Sequence, residues 1–446
     1  MKLNLWSPLP PSTSGIADYV CEQLPLLKQH LELTLVVEDP AAVDPALRAA
    51  YDVREPSRAP DAELELYHLG NSPAHAFVFR QALRRPGVVV LHDFSLHHLM
   101  LNETVERGDS AAYLREMRSA YGEVGSFVGR QVARALGGEM LPSLFPLNER
   151  LLRQSLGVIG LTAHVVARVK QRLPEGRPPL HLPHHVSLPL DPPPTREEAR
   201  AALGLPEDAL LLTAAGLATA SKRLDAALAA VARLREAHPK LRLIVAGAVD
   251  PQLPLRDSIA AAKLDSHVTV TGRLSLADFE RHLAAADVLL ALRFPNHGEI
   301  SGALVRGLGI GRPALVSAGS PAAEEFPEGV VVPVDPGRAE TEELVALLQK
   351  LLSDRALRER IGSLARDHMR RHHDLRQGVL ALVRFLEETA RGKAAALRAI
   401  EAGRHEQGSL LEYLHEELSF GAYDLGLAGL ELGADELLAE LSLKPR

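Results

Sequence analysis

Short runs of apolar residues alternate along the chain with longer stretches in which apolar residues recur at helical spacing. The runs lie at residues 3–6, 33–37, 64–69, 88–91 and 158–161, then at 210–215, 241–246, 268–270, 288–292, 314–316 and 330–334. Most runs are continuous, which is typical of parallel strands buried on both faces. Helical patterns such as 224–236 and 276–285 lie between them. The pattern therefore predicts an α/β protein with two successive, doubly wound parallel sheets.

A proline-rich segment, HHVSLPLDPPPTREEAR at residues 184–200, divides the two predicted sheets. Its prolines interrupt helix and strand, and Thr195 then opens a helix with Glu198 in capping-box spacing. The length of 446 residues favours two or three domains, and we start from two. We place the hinge near residues 186–195.

The predicted domains follow from this division. The first Rossmann-like domain covers residues 1–185, with a helical insertion at about 100–150, and the second covers residues 186–393. Residues 394–446 form a predicted helical extension that is acidic and leucine-rich, and its simplest role is packing or oligomerisation. A homo-oligomer formed through this extension stays open.

Composition narrows the class of protein. The hydrophobic share of 46% and the charged share of 24% are those of a globular protein, and a net charge of -7 gives no electrostatic reason to expect nucleic acid. Cys21 is the single cysteine, so neither an intramolecular disulfide nor a thiolate metal site is expected. Without an apolar leader or membrane-length segment, a cytoplasmic protein is the expectation. Peripheral membrane contact stays open, although the basic patches 168–177 and 366–376 favour solvated helix surface.

The first predicted strand runs into a loop rich in proline and hydroxyl residues, SPLPPSTSGIADY at residues 7–19. Ser14 and Gly15 stand just before a predicted helix that begins at Ile16, where unpaired backbone N–H groups can face a ligand. Gly15 allows that ligand to approach the backbone closely. Ser14 and Gly15 are therefore candidate binding residues.

The stretch RFPNHGEISGALVRGLGIGRPALVS, residues 293–317, is the most informative part of the sequence. Glu299 lies at a predicted loop-to-helix junction at the carboxyl edge of a parallel sheet, where ligands bind. Ser301, Gly302 and Ala303 begin the helix, whose free N–H groups suit a phosphate. Glu299 can accept hydrogen bonds from sugar hydroxyls, or it can simply cap the helix; from the residues alone both interpretations stay open.

A second candidate site follows the strand at 210–215. Gly216 ends this strand, and Lys222 and Arg223 stand at the start of the next helix. Cations at this end of a helix are unfavourable for its dipole, so they suggest an anion such as a diphosphate as partner. An ordinary surface Lys-Arg pair is the alternative.

A third candidate is the pair His92 and Asp93, directly after the run at 88–91. His92 can hydrogen-bond a sugar hydroxyl or take part in proton transfer, and a purely structural hydrogen bond between the two is equally compatible. The histidines of HLPHH at 181–185 lack a carboxylate set, so a metal site there has little support.

In this order and spacing, six segments make the chain resemble a glycosyltransferase of the family 4 type over about residues 1–390. They are PLPPSTSGIADY, VVVLHD, GLATASKRLD, LRLIVAG, VTVTGRLSLADFERHLAAADVLLALR and GEISGALVRGLGIGRPALVS. The resemblance implies a GT-B fold and a UDP, GDP or ADP sugar as donor. It also implies retention of the anomeric configuration, no metal ion or other cofactor for the transfer, and a saccharide, lipid-linked or small-molecule acceptor.

The resemblance also implies roles for the candidate residues. The loop at Gly15 would face the donor phosphates and the acceptor, Lys222 would neutralise the diphosphate, Glu299 would hold the transferred sugar, and His92 would lie against its ring. Two positions depart from the usual pattern: Arg306 stands where the family has a second, ribose-binding glutamate, and Leu217 stands where an arginine is common. Arg306 is therefore a candidate substrate-binding residue, with a positive charge where the family has a negative one. A non-catalytic sugar-nucleotide sensor or assembly protein, or a nucleotide-sugar epimerase, is the alternative.

Overall fold

The computed structural model describes residues 1–12, 14–173, 176–188 and 192–406. Seven described strands in the first half of the chain form one parallel sheet, in the order β3-β2-β1-β4-β5-β6-β7. Their bounds are Lys2–Trp6 (β1), Glu32–Val36 (β2), Asp52–Arg54 (β3), Leu64–Leu69 (β4), Val88–Leu91 (β5), Gly157–Gly160 (β6) and Leu180–His181 (β7). The strand order reverses between β1 and β4, which creates a crevice at their carboxyl ends.

Six described strands of the second half form another parallel sheet, in the order β10-β9-β8-β11-β12-β13. Their bounds are Leu210–Ala215 (β8), Leu241–Ala246 (β9), Val268–Val270 (β10), Val288–Ala291 (β11), Ala314–Ser317 (β12) and Val332–Val334 (β13). Here the order reverses between β8 and β11, so a second crevice lies at the carboxyl ends of these two strands.

Helices cover both faces of each sheet, because most residues of the inner strands are buried and the apolar faces need cover. In the first half they are Gly15–Leu27 (α1), Pro45–Ala50 (α2), Ala76–Ala82 (α3), His97–Glu103 (α4), Ser110–Ala133 (α5), Leu141–Leu144 (α6), Glu149–Gln154 (α7) and Ala163–Arg172 (α8). Helices α4 to α7 occupy the predicted insertion, and α5 is interrupted by non-helical backbone at Gly122.

In the second half the helices are Arg196–Leu203 (α9), Leu224–Leu234 (α10), Leu255–Ala261 (α11), Leu276–Ala285 (α12), Gly302–Ile310 (α13), Pro321–Glu325 (α14), Glu340–Ser353 (α15), Arg355–His372 (α16) and Leu375–Glu406 (α17). The capping box predicted at Thr195 and Glu198 is present at the start of α9. Within the described part of the chain, every helix is too short or too polar to cross a membrane.

The last helix, α17, returns from the second half of the chain to the first. It packs against α1, and the Lys393 ammonium donates a hydrogen bond to the Glu63 carbonyl at 2.8 Å. The Arg177 guanidinium lies 4.3 Å from the centre of the Phe385 ring, so this part of the basic patch 168–177 is packed. α17 spans residue 393 without a break, and residues 407–446 of the predicted extension lie outside the described residues. The predicted domain limits stay predictions.

Candidate active site

Lys222 lies at the second crevice, behind the loop that follows β8. Its ammonium donates a hydrogen bond to the Ala215 carbonyl at 2.5 Å and makes no ion pair with any described residue. Gly216 has a φ of +88°, and a Cβ there would lie 2.9 Å from Lys222 Nζ, so glycine provides both the turn and the space. Burial, with a further contribution from the nearby Arg293 charge, lowers the pKa of Lys222 to about 7.

The neighbouring cation, Arg223, points elsewhere. Its guanidinium forms hydrogen bonds of 2.9 and 2.5 Å with Glu340 at the start of α15, and it lies 3.4 Å from Asp225. Lys222 and Arg223, predicted together as anion-binding cations, thus have different surroundings. Arg223 already has carboxylate partners, whereas Lys222 has none among the described residues. A role for Arg223 in binding substrate stays a prediction.

Glu299 follows β11, has a side chain that is 9% exposed, and is held at both of its oxygens. Arg293 Nη1 donates to Oε1 at 2.5 Å, and the His297 backbone N–H donates to Oε2 at 2.6 Å. Burial opposes ionisation, but the Arg293 charge, His297 and these hydrogen bonds outweigh it, so the pKa of Glu299 lies below its ordinary value. The residue that caps α13 is Ser301, whose hydroxyl accepts from the Leu304 N–H at 3.3 Å. The interpretation of Glu299 as the helix cap is therefore wrong.

Lys222 and Arg293 line one small pocket of the second half of the chain, whose remaining lining is mostly apolar. Lys222 from the β8 loop, Arg293 after β11, and Ser301 and Ala303 at the start of α13 all line it. Gly302 lies at the same helix start, where a Cβ would approach His184 Nε2 at 3.5 Å. The pocket thus combines an ammonium that has no carboxylate partner among the described residues with the amino end of a helix, a combination that favours an anion.

His92 and Asp93 line the facing edge of the first sheet. His92 Nε2 lies 3.0 Å from His68 Nδ1, and the Tyr19 ring meets the His92 ring edge-on at 4.9 Å between centres. Burial and then the neighbouring histidines hold the pKa of His92 well below its ordinary value, so the imidazole is neutral. Asp93 Oδ2 accepts from the Asn71 N–H at 2.7 Å, and burial, followed by the Glu299 charge, raises the Asp93 pKa to about 7.

The loop that carries Glu299 packs directly on the loop that carries Asp93. The Ser95 N–H donates to the His297 carbonyl at 2.9 Å, and the Ser143 hydroxyl of α6 donates to the Asn296 carbonyl at 2.6 Å. Gly298 has a φ of +86°, and a Cβ there would lie 2.4 Å from the Phe94 Cβ. The contact brings residues predicted separately, from strand ends in both halves of the chain, to one cleft.

The loop after β1 contributes the start of α1. The Ser14 hydroxyl accepts from the Ile16 N–H at 3.2 Å and so caps the helix, while Gly15 is exposed with open space on its Cβ side. Ser14 thus satisfies part of the helix end itself, and Gly15 is the residue that leaves room for a ligand. Their predicted binding roles stay predictions.

Arg306 makes contacts across the two halves of the chain. Its guanidinium donates to the Glu22 carboxylate of α1 and to the Ser187 carbonyl, and Glu22 also accepts from His185 Nε2 at 2.8 Å. Arg306 does not line the pocket around Lys222. Its predicted contact with the donor therefore has no support from these contacts and stays a prediction.

No group of three or more His, Cys, Asp or Glu side chains in the described residues is arranged to hold a metal ion. The histidines of HLPHH have other partners: His181 lies 3.0 Å from a Glu325 oxygen, His184 Nδ1 bonds to the His185 carbonyl, and His185 contacts Glu22.

Sequence reasoning missed several residues of the cleft. Asn71 follows β4 at the first crevice, so its position at a reversal of strand order could have revealed it. Arg293 is part of the quoted motif, but its pairing with Glu299 depends on the course of the loop. Ser143 comes from the insertion, and the sequence contains no signal that would bring it to this loop.

The sequence and the fold of this chain were compared with those of known proteins. A family model described as Glycosyl transferases group 1 matches residues 195–368. No curated protein sequence matches the chain. Among solved structures, sucrose-phosphate synthase from Thermosynechococcus elongatus has a TM-score of 0.62 at 15% identity, covering 87% of this chain and 98% of its own.

Two further structures have the same architecture. HepE of Anabaena, in complex with UDP and glucose, has a TM-score of 0.59 at 15% identity, with 86% of this chain and 99% of HepE covered. WaaG, described as a glycosyltransferase involved in lipopolysaccharide biosynthesis, has a TM-score of 0.56 at 16% identity, with coverages of 86% and 99%.

The chain therefore adopts the GT-B fold, with two Rossmann-like parallel-sheet domains facing one another across the cleft. Residues 195–368, in the second domain, match the family model of glycosyl transferases group 1, and this match confirms the resemblance drawn from the motifs. Glycosyl transfer is the class of reaction that this match and this fold support.

Proposed function

We propose that the protein is a retaining glycosyltransferase that moves a sugar from a nucleotide diphosphate to an acceptor hydroxyl without a metal ion. The observation that carries the proposal is the position of Lys222. Its ammonium has no carboxylate partner among the described residues and lies in one pocket with Arg293 and the start of α13. That pocket is at the reversal of strand order in the domain matched by the family, where a diphosphate is expected.

Lys222 and the helix N–H groups would act on the leaving group. When the bond between the sugar C1 and the diphosphate oxygen breaks, its electron pair goes to that oxygen. A fixed ammonium and the positive end of α13 stabilise the negative charge that develops there. The acceptor oxygen bonds to C1 on the same face and passes its proton to the diphosphate oxygen. The products are the glycosylated acceptor and the nucleoside diphosphate.

Glu299 and His92 would orient the sugar from opposite sides of the cleft. Arg293 and the His297 N–H keep Glu299 ionised, so its carboxylate can accept hydrogen bonds from sugar hydroxyls. His92 is held neutral, and no described residue bonds to its Nδ1, which leaves that atom for a sugar hydroxyl. Asp93 lies next to His92, and the Glu299 charge contributes to its raised pKa. A sugar bound between Asp93 and Glu299 would therefore change the pKa of Asp93.

The donor would be a UDP, GDP or ADP sugar, and UDP is the first to test because HepE was crystallised with UDP and glucose. The acceptor would be a saccharide, a lipid-linked saccharide or a small molecule. WaaG, a neighbour involved in lipopolysaccharide biosynthesis, makes polysaccharide assembly a reasonable setting.

A non-catalytic sugar-nucleotide sensor is the second candidate, and one observation favours it. Arg223 and Arg306 are paired with Glu340 and Glu22, and Leu217 is 53% exposed in the phosphate loop. Lys222 thus has less help from neighbouring cations than the family pattern provides. A sensor would bind the donor and form no product, whereas an epimerase would return an altered nucleotide sugar.

The proposal is tested by thermal unfolding in the presence of UDP, GDP, ADP, dTDP and their common sugar conjugates. A ligand that binds only the native state raises its melting temperature. We expect one nucleotide series to stabilise the wild type and to lose this effect in Lys222→Ala. Absence of stabilisation by every nucleotide would contradict the proposal.

A further inference from the structure

A second cluster of charged residues lies at the opposite edge of the second sheet from Lys222. β11 and β12 begin there, and the turn from α13 to β12, the start of α9 and one side of α16 enclose a cavity of about 360 Å³. Among the described residues that line it, five are arginines and three are carboxylates. The described lining therefore has an excess of positive charge.

The carboxylates of this cavity already have partners. Asp287 accepts from Arg196 Nε at 2.9 Å, from Arg200 Nη2 at 2.7 Å and from the Leu211 N–H at 2.7 Å. Glu359 accepts from Arg355 Nε at 2.7 Å. Glu197 lies 3.5 Å from Arg196 Nη1. The carboxyl groups thus bond to or pair with arginines 196, 200 and 355 and backbone, and none of them forms an ion pair with another arginine that lines the cavity.

Arg358 is one of those other arginines and donates to two backbone carbonyls, which leaves Arg312 and Arg366. Neither guanidinium makes an ion pair or a hydrogen bond with a described residue, and the buried Nε of Arg312 has no partner. The Arg366 guanidinium lies against the turn, since a Cβ on Gly311 would be 3.1 Å from its Nε. Burial lowers the pKa of Arg312 to about 10; the Asp287 charge opposes this shift, and the Arg366 charge adds to it.

This arrangement is unfavourable without an anion. A buried guanidinium nitrogen without an acceptor carries a desolvation penalty, and two like charges side by side repel one another. Guanidinium forks match phosphate oxygens in geometry, and a phosphate monoester carries between one and two negative charges at neutral pH. The cavity volume is in the usual range for small-molecule sites.

We propose that Arg312 and Arg366 bind the phosphate group of a small molecule in this cavity. The site is separated from the donor pocket by the length of β11 and β12, and it does not depend on the proposed transfer reaction. Arg358, which also lines the cavity, donates to the Leu351 and Leu352 carbonyls and so fixes this end of α16 beside the site.

The test uses Lys222→Ala protein, so that binding of a phosphate probe at the donor pocket is weakened. Melting temperature and calorimetry are measured with inorganic pyrophosphate, with orthophosphate, and with sodium chloride at equal ionic strength. We expect saturable stabilisation by pyrophosphate beyond that of chloride. Arg312→Gln and Arg366→Gln should each raise the pyrophosphate Kd at least tenfold.

Arg370→Gln is the matched control, because Arg370 is an exposed residue one turn further along α16 and does not line the cavity. It should leave the pyrophosphate Kd unchanged. Arg366 is also exposed, so its substitution provides a folded variant even if Arg312→Gln unfolds. Any of three results would overturn the proposal: absence of saturable pyrophosphate binding, binding that survives in Arg366→Gln, or an equal loss of binding in Arg370→Gln.

Discussion

The Arg306 guanidinium on α13 forms an ion pair with the Glu22 carboxylate on α1, and this pair joins the second domain to the first. The side chains are only 8% and 13% exposed, and Arg306 also bonds to the Ser187 carbonyl in the linker. Water therefore contributes little to the stabilisation of either charge. Arg306 stands at the position where the family pattern has a donor-binding residue, and in this structure its contacts join the two domains.

Removal of either partner should destabilise the protein. Arg306→Met leaves the Glu22 carboxylate with His185 alone, and Glu22→Gln leaves the Arg306 guanidinium without a carboxylate. Loss of one partner of a largely buried ion pair typically costs about 3–5 kcal/mol. The double variant should lose less than the sum of the two single changes, and a double-mutant cycle on denaturant unfolding measures this coupling. Nucleotide affinity of Arg306→Met should stay at the wild-type value. A tenfold loss of that affinity would instead show that Arg306 contacts the donor.

Lys222→Ala should weaken binding of the donor diphosphate by about 1.5–3 kcal/mol, the usual contribution of a hydrogen bond to a charged group. Isothermal calorimetry with the nucleoside diphosphate measures the loss. Arg223→Ala is the control, because it removes the adjacent cation, whose partner is Glu340. It should lower stability and leave affinity unchanged. A greater loss of affinity in Arg223→Ala than in Lys222→Ala would reverse the two roles.

Donor binding should also depend on pH above neutrality. The pKa of Lys222 in the free protein is about 7, and a bound diphosphate favours the ammonium and raises this pKa. Below pH 7 the lysine is charged in both states, so affinity is level; above it, binding must take up a proton and affinity falls until the pKa of the complex is reached.

Calorimetry between about pH 6 and 9, in buffers that differ in ionisation enthalpy, measures the number of protons taken up when the donor binds. Lys222→Met should abolish the uptake. The Asp93 pKa is also about 7, so Asp93→Asn separates the two groups and should retain the uptake. Uptake that disappears in Asp93→Asn and persists in Lys222→Met would assign it to the aspartate.

Glu299→Gln should reduce sugar transfer by about 100-fold or more with the fold intact, because a neutral amide loses both the pairing with Arg293 and the charge that accepts sugar hydroxyls. A product assay and the melting temperature together measure the effect. Glu324→Gln is a matched control, since Glu324 is an exposed carboxylate that pairs with His164. Full activity in Glu299→Gln would remove this residue from the site.

The central strands could be predicted closely from the sequence. β4, β5, β8 and β9 lie inside their sheets and have the predicted bounds, because a strand buried on both faces requires a continuous apolar run between polar turns. The prediction missed β3, Asp52–Arg54, and β7, Leu180–His181. Both are short and lie at sheet edges, where fewer side chains need to be apolar and the sequence pattern is weak.

The residues of the candidate site could be predicted from local sequence, but their long-range partners could not. Lys222 and Glu299 follow buried strands, so the rule that ligands bind at the carboxyl edge finds them from local sequence. The partners of Arg223 and Arg306 are 117 and 284 residues away, and no local pattern specifies pairings over such separations. The sequence therefore identified Lys222, Arg223 and Arg306 as candidate ligand-binding cations. The fold pairs the two arginines with carboxylates and leaves Lys222 without one.

The most direct test of the proposed transfer is the cleavage of nucleotide sugars with water in place of the acceptor hydroxyl. Wild-type protein and Glu299→Gln are incubated with UDP-, GDP- and ADP-sugars, and proton NMR follows the released sugar before its anomers equilibrate. We predict release of nucleoside diphosphate from one donor series by the wild type, a free sugar that first has the anomeric configuration of the donor, and a loss of both in Glu299→Gln. Absence of cleavage with every donor, or a first product of inverted configuration, would contradict a retaining glycosyltransferase.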